Sequence, residues 1–155
     1  MKKLLLLLVI TFSTASISQT AITDDNIQTA INTCLNTNPV DGMCSGSEFG
    51  AMPDWDVSSV TNMDQAFANR NDFNGDISGW DVSSVTDMQS MFYFAFDFNQ
   101  DLSSWDVSSV TNMYRMFDSA SFFNGDISSW GVSNVTNMGY MFYGVYAFNQ
   151  DLSFW

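Results

Sequence analysis

The sequence predicts an α/β repeat protein. It reads as a short solenoid of 25-residue coils, each with one short parallel strand and one short helix, behind an N-terminal helical cap. Three observations predict this. Trp55, Trp80, Trp105, Trp130 and Trp155 recur every 25 residues without a slip, and a fixed period of that length is the signature of a repeat architecture. Within one unit Trp80 and Val82 alternate as in a strand, while Met88, Met91, Phe92 and Ala95 follow the i, i+3, i+4, i+7 spacing of a helix face. A unit this small cannot bury its own apolar face, so it must stack on its neighbours.

The elements follow in chain order. Residues 1–18 read as a secretory signal peptide: Lys2 and Lys3, the apolar run from Leu4 to Ile10, then small residues at Ser16-Ile17-Ser18. The run is too short to span a bilayer, and no later stretch is apolar enough to do so. No Cys sits just after it, which argues against lipid attachment at a processed Cys. Residues 19–51 read as a helical cap, with Thr23 as N-cap, Asp24 and Asp25 in the first turn, and Ile27, Ala30, Ile31 and Cys34 on one face. Asn36 to Pro39 ends that helix. Cys34 and Cys44 are the two cysteines, and in an oxidising compartment their expected use is a disulfide. Free thiols or half of a metal site are the alternatives, but no His is present to complete a zinc site.

Residues 52–155 hold about four repeats, the first opening where Met52-Pro53-Asp54-Trp55 aligns with Ile77-Ser78-Gly79-Trp80. Ile77, Trp80, Val82 and Val85 have an L-x-x-L-x-L-x-x spacing, like that of leucine-rich repeats. Thr61, Thr86, Thr111 and Thr136 stand where helix N-caps belong, and Thr86 with Gln89 would make a capping box. Stacked at a strand spacing of about 4.8 Å, the columns become ladders of Trp, Val, Met and Phe. The column Asn74, Asn99, Asn124, Asn149 is expected at a bend, its amides bonding neighbouring backbone. Gly75-Asp76-Ile77 and Gly125-Asp126-Ile127 alternate with Gln100-Asp101-Leu102 and Gln150-Asp151-Leu152, which reads as the trace of a duplicated two-repeat block. The sequence stops at Trp155, the opening residue of a further coil. Two expectations follow: more coils in a longer polypeptide, or end-to-end self-association that covers the last coil.

Charge narrows the partners. Beyond the leader, Arg70 and Arg115 stand against 17 acids, a net charge of −15. Nucleic acid and anionic membranes are therefore poor partner candidates, while cationic groups, Ca2+ and neutral glycans stay open. Residues flanking the inward Trp and Val should face outward from the strand, giving a candidate concave ligand face of Asp56, Asp81 and Asp106 with Ser58, Ser83, Ser108 and Ser133. The stacked Asp columns could attract Ca2+, yet they lack a D-x-D-x-D-G loop, and single bonds to turn N–H groups account for them equally well. No cofactor is otherwise called for. An enzyme is hard to assemble from a chain with no His, no Lys beyond the leader and a paired Cys couple. Its Asp residues are periodic, whereas an active site breaks periodicity.

The text from Asp101 to Met113, followed by Met116, Phe117 and Ala120, resembles the bacterial surface-protein repeats of the DUF285 family, relatives of BspA-like leucine-rich repeats. The likeness spans about Met52 to Trp155, with Ala66, Arg70 and Gly131 departing from the column residues. The leader and early segment also resemble secreted proteins of marine Bacteroidota. The resemblance implies an extracellular or cell-surface protein that binds a protein or glycan ligand without catalysis. A structural spacer is the alternative.

Overall fold

The computed structural model describes residues 20–155, and the predicted leader at 1–18 lies outside the described residues. The described part holds one α-helix, α1 (Ile27–Leu35), and one 3-10 turn at Met52–Asp54. Coils are numbered here from their Trp: coil 1 at 55–79, coil 2 at 80–104, coil 3 at 105–129, coil 4 at 130–154. The only β-type pairing among the described residues is a row of isolated parallel bridges, Asn62 to Asp87 to Asn112 to Asn137. The predicted α/β solenoid is therefore corrected. Among the described residues neither a helix nor a sheet strand recurs from coil to coil. What recurs is a coil of turns, stepped by one period at each bridge.

The segment expected as a helix shows why. In coil 2 the N–H groups of Met91, Tyr93 and Ala95 donate to the carbonyls of Met88, Ser90 and Phe92, three residues back. The interleaved N–H groups of Met88, Ser90, Phe92 and Phe94 turn outward and donate to Asn112, Tyr114, Met116 and Asp118 of coil 3, at 2.8–3.0 Å. Alternate amides thus close turns and link coils. An α-helix would have kept every bond to itself and left the next coil with none. This ribbon of turns needs a left-handed residue at fixed places, and Ser90, Phe94, Arg115, Ser119 and Tyr140 all have φ between 51° and 63°. Each such non-glycine residue costs roughly 1–2 kcal/mol; the inter-coil bonds offset it. The apolar side chains fall inside at the same i, i+3, i+4 positions as on a helix, so periodicity alone could not tell the two apart.

The predicted strand is corrected for a similar reason. Trp80 and Val82 sit between two turns, closed by Trp80 N–H to Ile77 C=O and Val85 N–H to Val82 C=O. What crosses between coils there is the indole: Trp80 Nε1 donates to Met52 O at 3.0 Å, Trp105 to Ile77 at 3.1 Å and Trp130 to Leu102 at 2.9 Å. The Thr column caps no helix. Thr86, Thr111 and Thr136 each donate both the N–H and the hydroxyl to the Thr carbonyl one coil earlier. The parallel bridges form beside it.

Packing is columnar. Phe67, Phe92, Phe117 and Phe142 stack at 5.4–5.9 Å between centroids, and Phe73, Phe98, Phe123 and Phe148 at 5.8–6.0 Å. Within a coil the two columns meet face to face, Phe92 against Phe98 at 3.9 Å. Val, Met and Ile or Leu columns fill the remainder, fully buried through coil 3. Burying one such side chain stabilises by about 1.5–3 kcal/mol. The Asn column is a ladder as expected: Asn99, Asn124 and Asn149 N–H each donate to the Oδ1 of the Asn one coil earlier, at 2.8–2.9 Å.

The two-coil rhythm has a packing cause besides any ancestry. Gln100 Nε2 reaches back to Asn74 O and Oδ1, both at 2.8 Å, and Gln150 does the same to Asn124. Gly125 lies so close to Gln100 that a Cβ there would stand 2.0 Å from its carbonyl oxygen. The glycine is thus required by the backbone carbonyl of the coil before it, as at Gly75, where a Cβ would stand 2.7 Å from the Asp41 carbonyl oxygen.

At the N-terminal end, α1 buries Ile27, Ala30, Ile31, Cys34 and Leu35, and Cys34 is disulfide-bonded to Cys44. The segment replaces a preceding coil bond by bond. Asp24 Oδ1 and Oδ2 accept from Thr61 N–H and Oγ1 at 2.7 and 2.6 Å, where a Thr carbonyl would otherwise serve. Val40 O takes Asn74 N–H, and Gly50 O takes the Trp55 indole. Arg70, a departure from its column, donates to Asn32 of α1.

Candidate functional site

The Asp and Ser residues singled out from sequence lie on one side of the coil openings. Asp56, Asp81 and Asp106 are exposed, while the backbones between them are held by buried Val57, Val82 and Val107. Each Asp is engaged within its own turn. Ser58 and Ser83 donate N–H at 3.1 Å and Oγ at 2.6 Å to Asp56 and Asp81, and Ser108 N–H donates to Asp106 at 3.0 Å. Gly131 supplies no carboxylate to Ser133 in coil 4. Short polar side chains bonding the backbone two residues on are the usual means of fixing such turns. The serine hydrogen bonds hold the carboxyls of Asp56, Asp81 and Asp106 below the ordinary range, and for Asp81 the like charges of Asp56 and Asp106 oppose that only in part.

Two further Asx columns do the same work. Asp76, Asp101, Asp126 and Asp151 accept from Ser78, Ser103, Ser128 and Ser153, and Asn62, Asp87, Asn112 and Asn137 start the turn ribbons. Among the described residues no three acidic or Cys side chains converge as a metal site would require. An open cleft of about 450 Å³ lies in the cap beside the disulfide, lined by Thr33, Thr37, Asn38 and Met43 among others. It is lined by none of the Asp columns.

A second surface, not singled out from sequence, lies on the turn ribbons of coils 2–4. Arg115 sits among three tyrosines, its guanidinium carbon 5.4 Å from the ring centres of Tyr114 and Tyr140 and 5.8 Å from that of Tyr93. Its Nε lies 3.4 Å from Oδ2 of buried Asp118, whose Oδ1 accepts from Ser119 Oγ at 2.8 Å. Tyr140 stands edge to face with both Tyr114 and Tyr143, at 6.1 and 6.0 Å. The exposed rings of coils 3 and 4 are Phe122, Tyr140, Tyr143 and Tyr146, at 61, 59, 66 and 88%, the last three on the final coil of the sequence, whereas Tyr93, Phe96 and Tyr114 of the coils before it are half-buried. The corresponding positions in coil 1 are Asp72, Gln65, Ala68 and Asn71. The signal was therefore present in the sequence as a break in the repeat, masked by columns that agree everywhere inside the core.

The coil text is matched by a family model. Residues 38–155 fit DUF285, described as a Mycoplasma protein of unknown function. The chain belongs to the DUF285 family. The DUF285 match covers all four coils and reaches back into the loop that carries Cys44, beyond the Met52 at which the likeness was expected to begin. No curated protein and no solved structure matches the chain. No helix among the described residues is long and apolar enough to cross a membrane.

Proposed function

We propose that this DUF285 chain is a non-catalytic recognition module that works outside the cell. The observation that carries this is the aperiodic aromatic surface around Arg115. Only the inward columns must agree from coil to coil, so the gathering of Tyr93, Tyr114 and Tyr140 around Arg115, at positions held by Ala68, Asp64 and Gln65 in coil 1, is available for something other than stacking. Tyr, Phe and Arg are also the residue types enriched at binding surfaces. The extracellular part rests on the signal pattern, on the Cys34–Cys44 disulfide, which suits an oxidising compartment, and on the likeness to BspA-like surface proteins. The absence of catalysis rests on chemistry. The sequence contains no His, both Cys are bonded, and the Asp columns are committed to turn N–H groups, which lower the carboxyls of Asp56, Asp76, Asp81, Asp106 and Asp126 and make these poor proton donors.

Two faces can be tested against each other. The protein is applied to arrays of matrix proteins and glycans alongside Asp81→Lys/Asp106→Lys and Tyr143→Ala variants. The expected result is a retained ligand whose binding one variant abolishes while both stay folded. Turnover of any arrayed compound would overturn the non-catalytic reading, and a complete lack of retained ligands would overturn recognition.

A further inference from the structure

We infer that Asn74 and Asn124 are the chain's sites of spontaneous deamidation, and that Gln100 and Gln150 hold the reaction off while the coils stay stacked. The sequence contains two Asn-Gly pairs, Asn74-Gly75 and Asn124-Gly125, whereas the other rungs of the same ladder, Asn99 and Asn149, are followed by Gln. That difference is chemical. The backbone nitrogen after an asparagine attacks the side-chain carbonyl carbon, Cγ, and closes a succinimide ring. The side-chain nitrogen leaves as ammonia, carrying off the proton of the attacking N–H. Water then opens either ring carbonyl, leaving aspartate or its backbone-lengthened isomer, isoaspartate. Water is the sole co-reactant. A glycine nitrogen is the least hindered attacker, because no Cβ stands beside it.

The asparagines of both pairs are exposed, so water reaches them, and their glycines are buried. The next coil stands in the way of ring closure. Asn74 Oδ1 accepts from Asn99 N–H at 2.9 Å and from Gln100 Nε2 at 2.8 Å, and the same Nε2 donates to Asn74 O at 2.8 Å. Asn124 is held likewise, by Asn149 N–H at 2.8 Å and by Gln150 Nε2, at 3.2 Å to Oδ1 and 2.8 Å to O. One glutamine amide thus ties the side chain of each asparagine to its own main-chain carbonyl. Ring closure needs those two groups to turn against each other, so that Cγ swings onto the glycine nitrogen. The glycine cannot move to meet it. A Cβ on Gly75 would stand 2.7 Å from Asp41 O, and one on Gly125 2.0 Å from Gln100 O, so each glycine is seated on the backbone before it.

The glutamines fall where the reactive pairs need them. Asn99 Oδ1 accepts from Asn124 N–H at 2.8 Å, and the position one coil on that would carry a glutamine is Gly125. Gly and Gln therefore alternate so that each Asn-Gly pair meets a glutamine of the following coil, and Asn99 does not. Deamidation then proceeds only through local opening of the ladder, at a rate set by how often those bonds break. Isoaspartate lengthens the main chain and breaks the 25-residue step, so a coil modified while open does not reclose.

The test is peptide mapping by mass spectrometry of the full disulfide-bonded chain in mildly alkaline buffer, with and without concentrated guanidinium chloride. In denaturant Asn74 and Asn124 should deamidate well ahead of Asn99 and Asn149, giving aspartate and isoaspartate together. In the folded chain both should slow by roughly tenfold or more. Gln100→Met keeps the length but loses the donor, and should speed Asn74 about tenfold while Asn124 keeps its rate. Gln150→Met should do the reverse. Near-ultraviolet circular dichroism checks that the variants are folded; should a Met variant unfold, Gln100→Ala and Gln150→Ala replace the pair. Equal rates in the folded and denatured chain would overturn the assignment. So would folded variants that leave both rates unchanged, slow them, or raise the two together.

Discussion

At the scale of single residues, the tightest constraint is carried by atoms that are missing. Gly125 lies where a methyl group would meet the Gln100 carbonyl at 2.0 Å, a backbone atom that cannot swing aside. Gly79 has nothing within 4 Å of the same position. Gly125→Ala should therefore destabilise by about 3 kcal/mol, the upper range for forced overpacking, and Gly79→Ala should change stability by no more than about 0.5 kcal/mol. Urea unfolding of the two variants distinguishes them. Equal midpoints would mean that the coils can slide apart and that the close backbone approach at Gly125 does not constrain them. The alternation was visible in the sequence, but its cause was not, because a contact between residues 25 apart has no local signature.

At the scale of elements, the cap and the turn ribbon were legible to different degrees. The face of α1 and the cysteine pair were readable, since a nine-residue helix with one apolar side and two cysteines in a secretory context leave few alternatives. The ribbon was misread as a helix because Met88, Met91, Phe92 and Ala95 face inward in both. The distinguishing features are left-handed φ values at Ser90 and Phe94, residue types that do not advertise them. Asp24 was likewise assigned to the helix dipole, whereas it stands in for the carbonyl of an earlier coil. Asp24→Ala should expose the first coil edge. Amide exchange at Thr61 and Asn62 should accelerate at least tenfold while Phe92 and Phe117 amides stay protected, and uniform protection throughout would refute the substitution of Asp24 for a coil. Reducing the disulfide, which closes a loop over a separation of 10 residues, should lower stability by about 3 kcal/mol on the loop-entropy estimate.

At the scale of the whole molecule, the Asx turns add up to a pH dependence with one sign. Hydrogen bonds hold Asp24, Asp56, Asp76, Asp81, Asp106 and Asp126 below the ordinary carboxylate value. For Asp76 the hydrogen bonds from Ser78 are the cause. For Asp24 partial desolvation pushes the other way and is outweighed by the bonds from Thr61 and Asn62. A carboxyl lowered by folding adds stability above its unfolded value near pH 4, and loses it as pH falls through the folded value. With no His to titrate, stability should be flat between about pH 5 and 8 and fall below about pH 4. Asp76→Asn/Asp126→Asn keeps an oxygen for each turn N–H and should flatten the acid limb. A urea midpoint unchanged down to pH 2 in the wild type would contradict this. The aromatic face belongs to this scale as well: its residues are unremarkable one by one, and only stacking coils 2–4 gathers them around Arg115.

The tryptophan column has an optical consequence. Trp55 and Trp80 lie parallel at 6.0 Å, and Trp105, Trp130 and Trp155 follow one another at 6.4 and 6.1 Å. Indoles that close share their excited states, so these side chains absorb and emit as coupled sets. Their transitions reach into the wavelengths used to estimate backbone structure. Because the indole planes are nearly parallel, with interplanar angles of 13°, 1° and 8°, the coupling should appear as a shift and weakening of the tryptophan absorption rather than as a strong dichroic couplet, and its size should report how many coils remain in register.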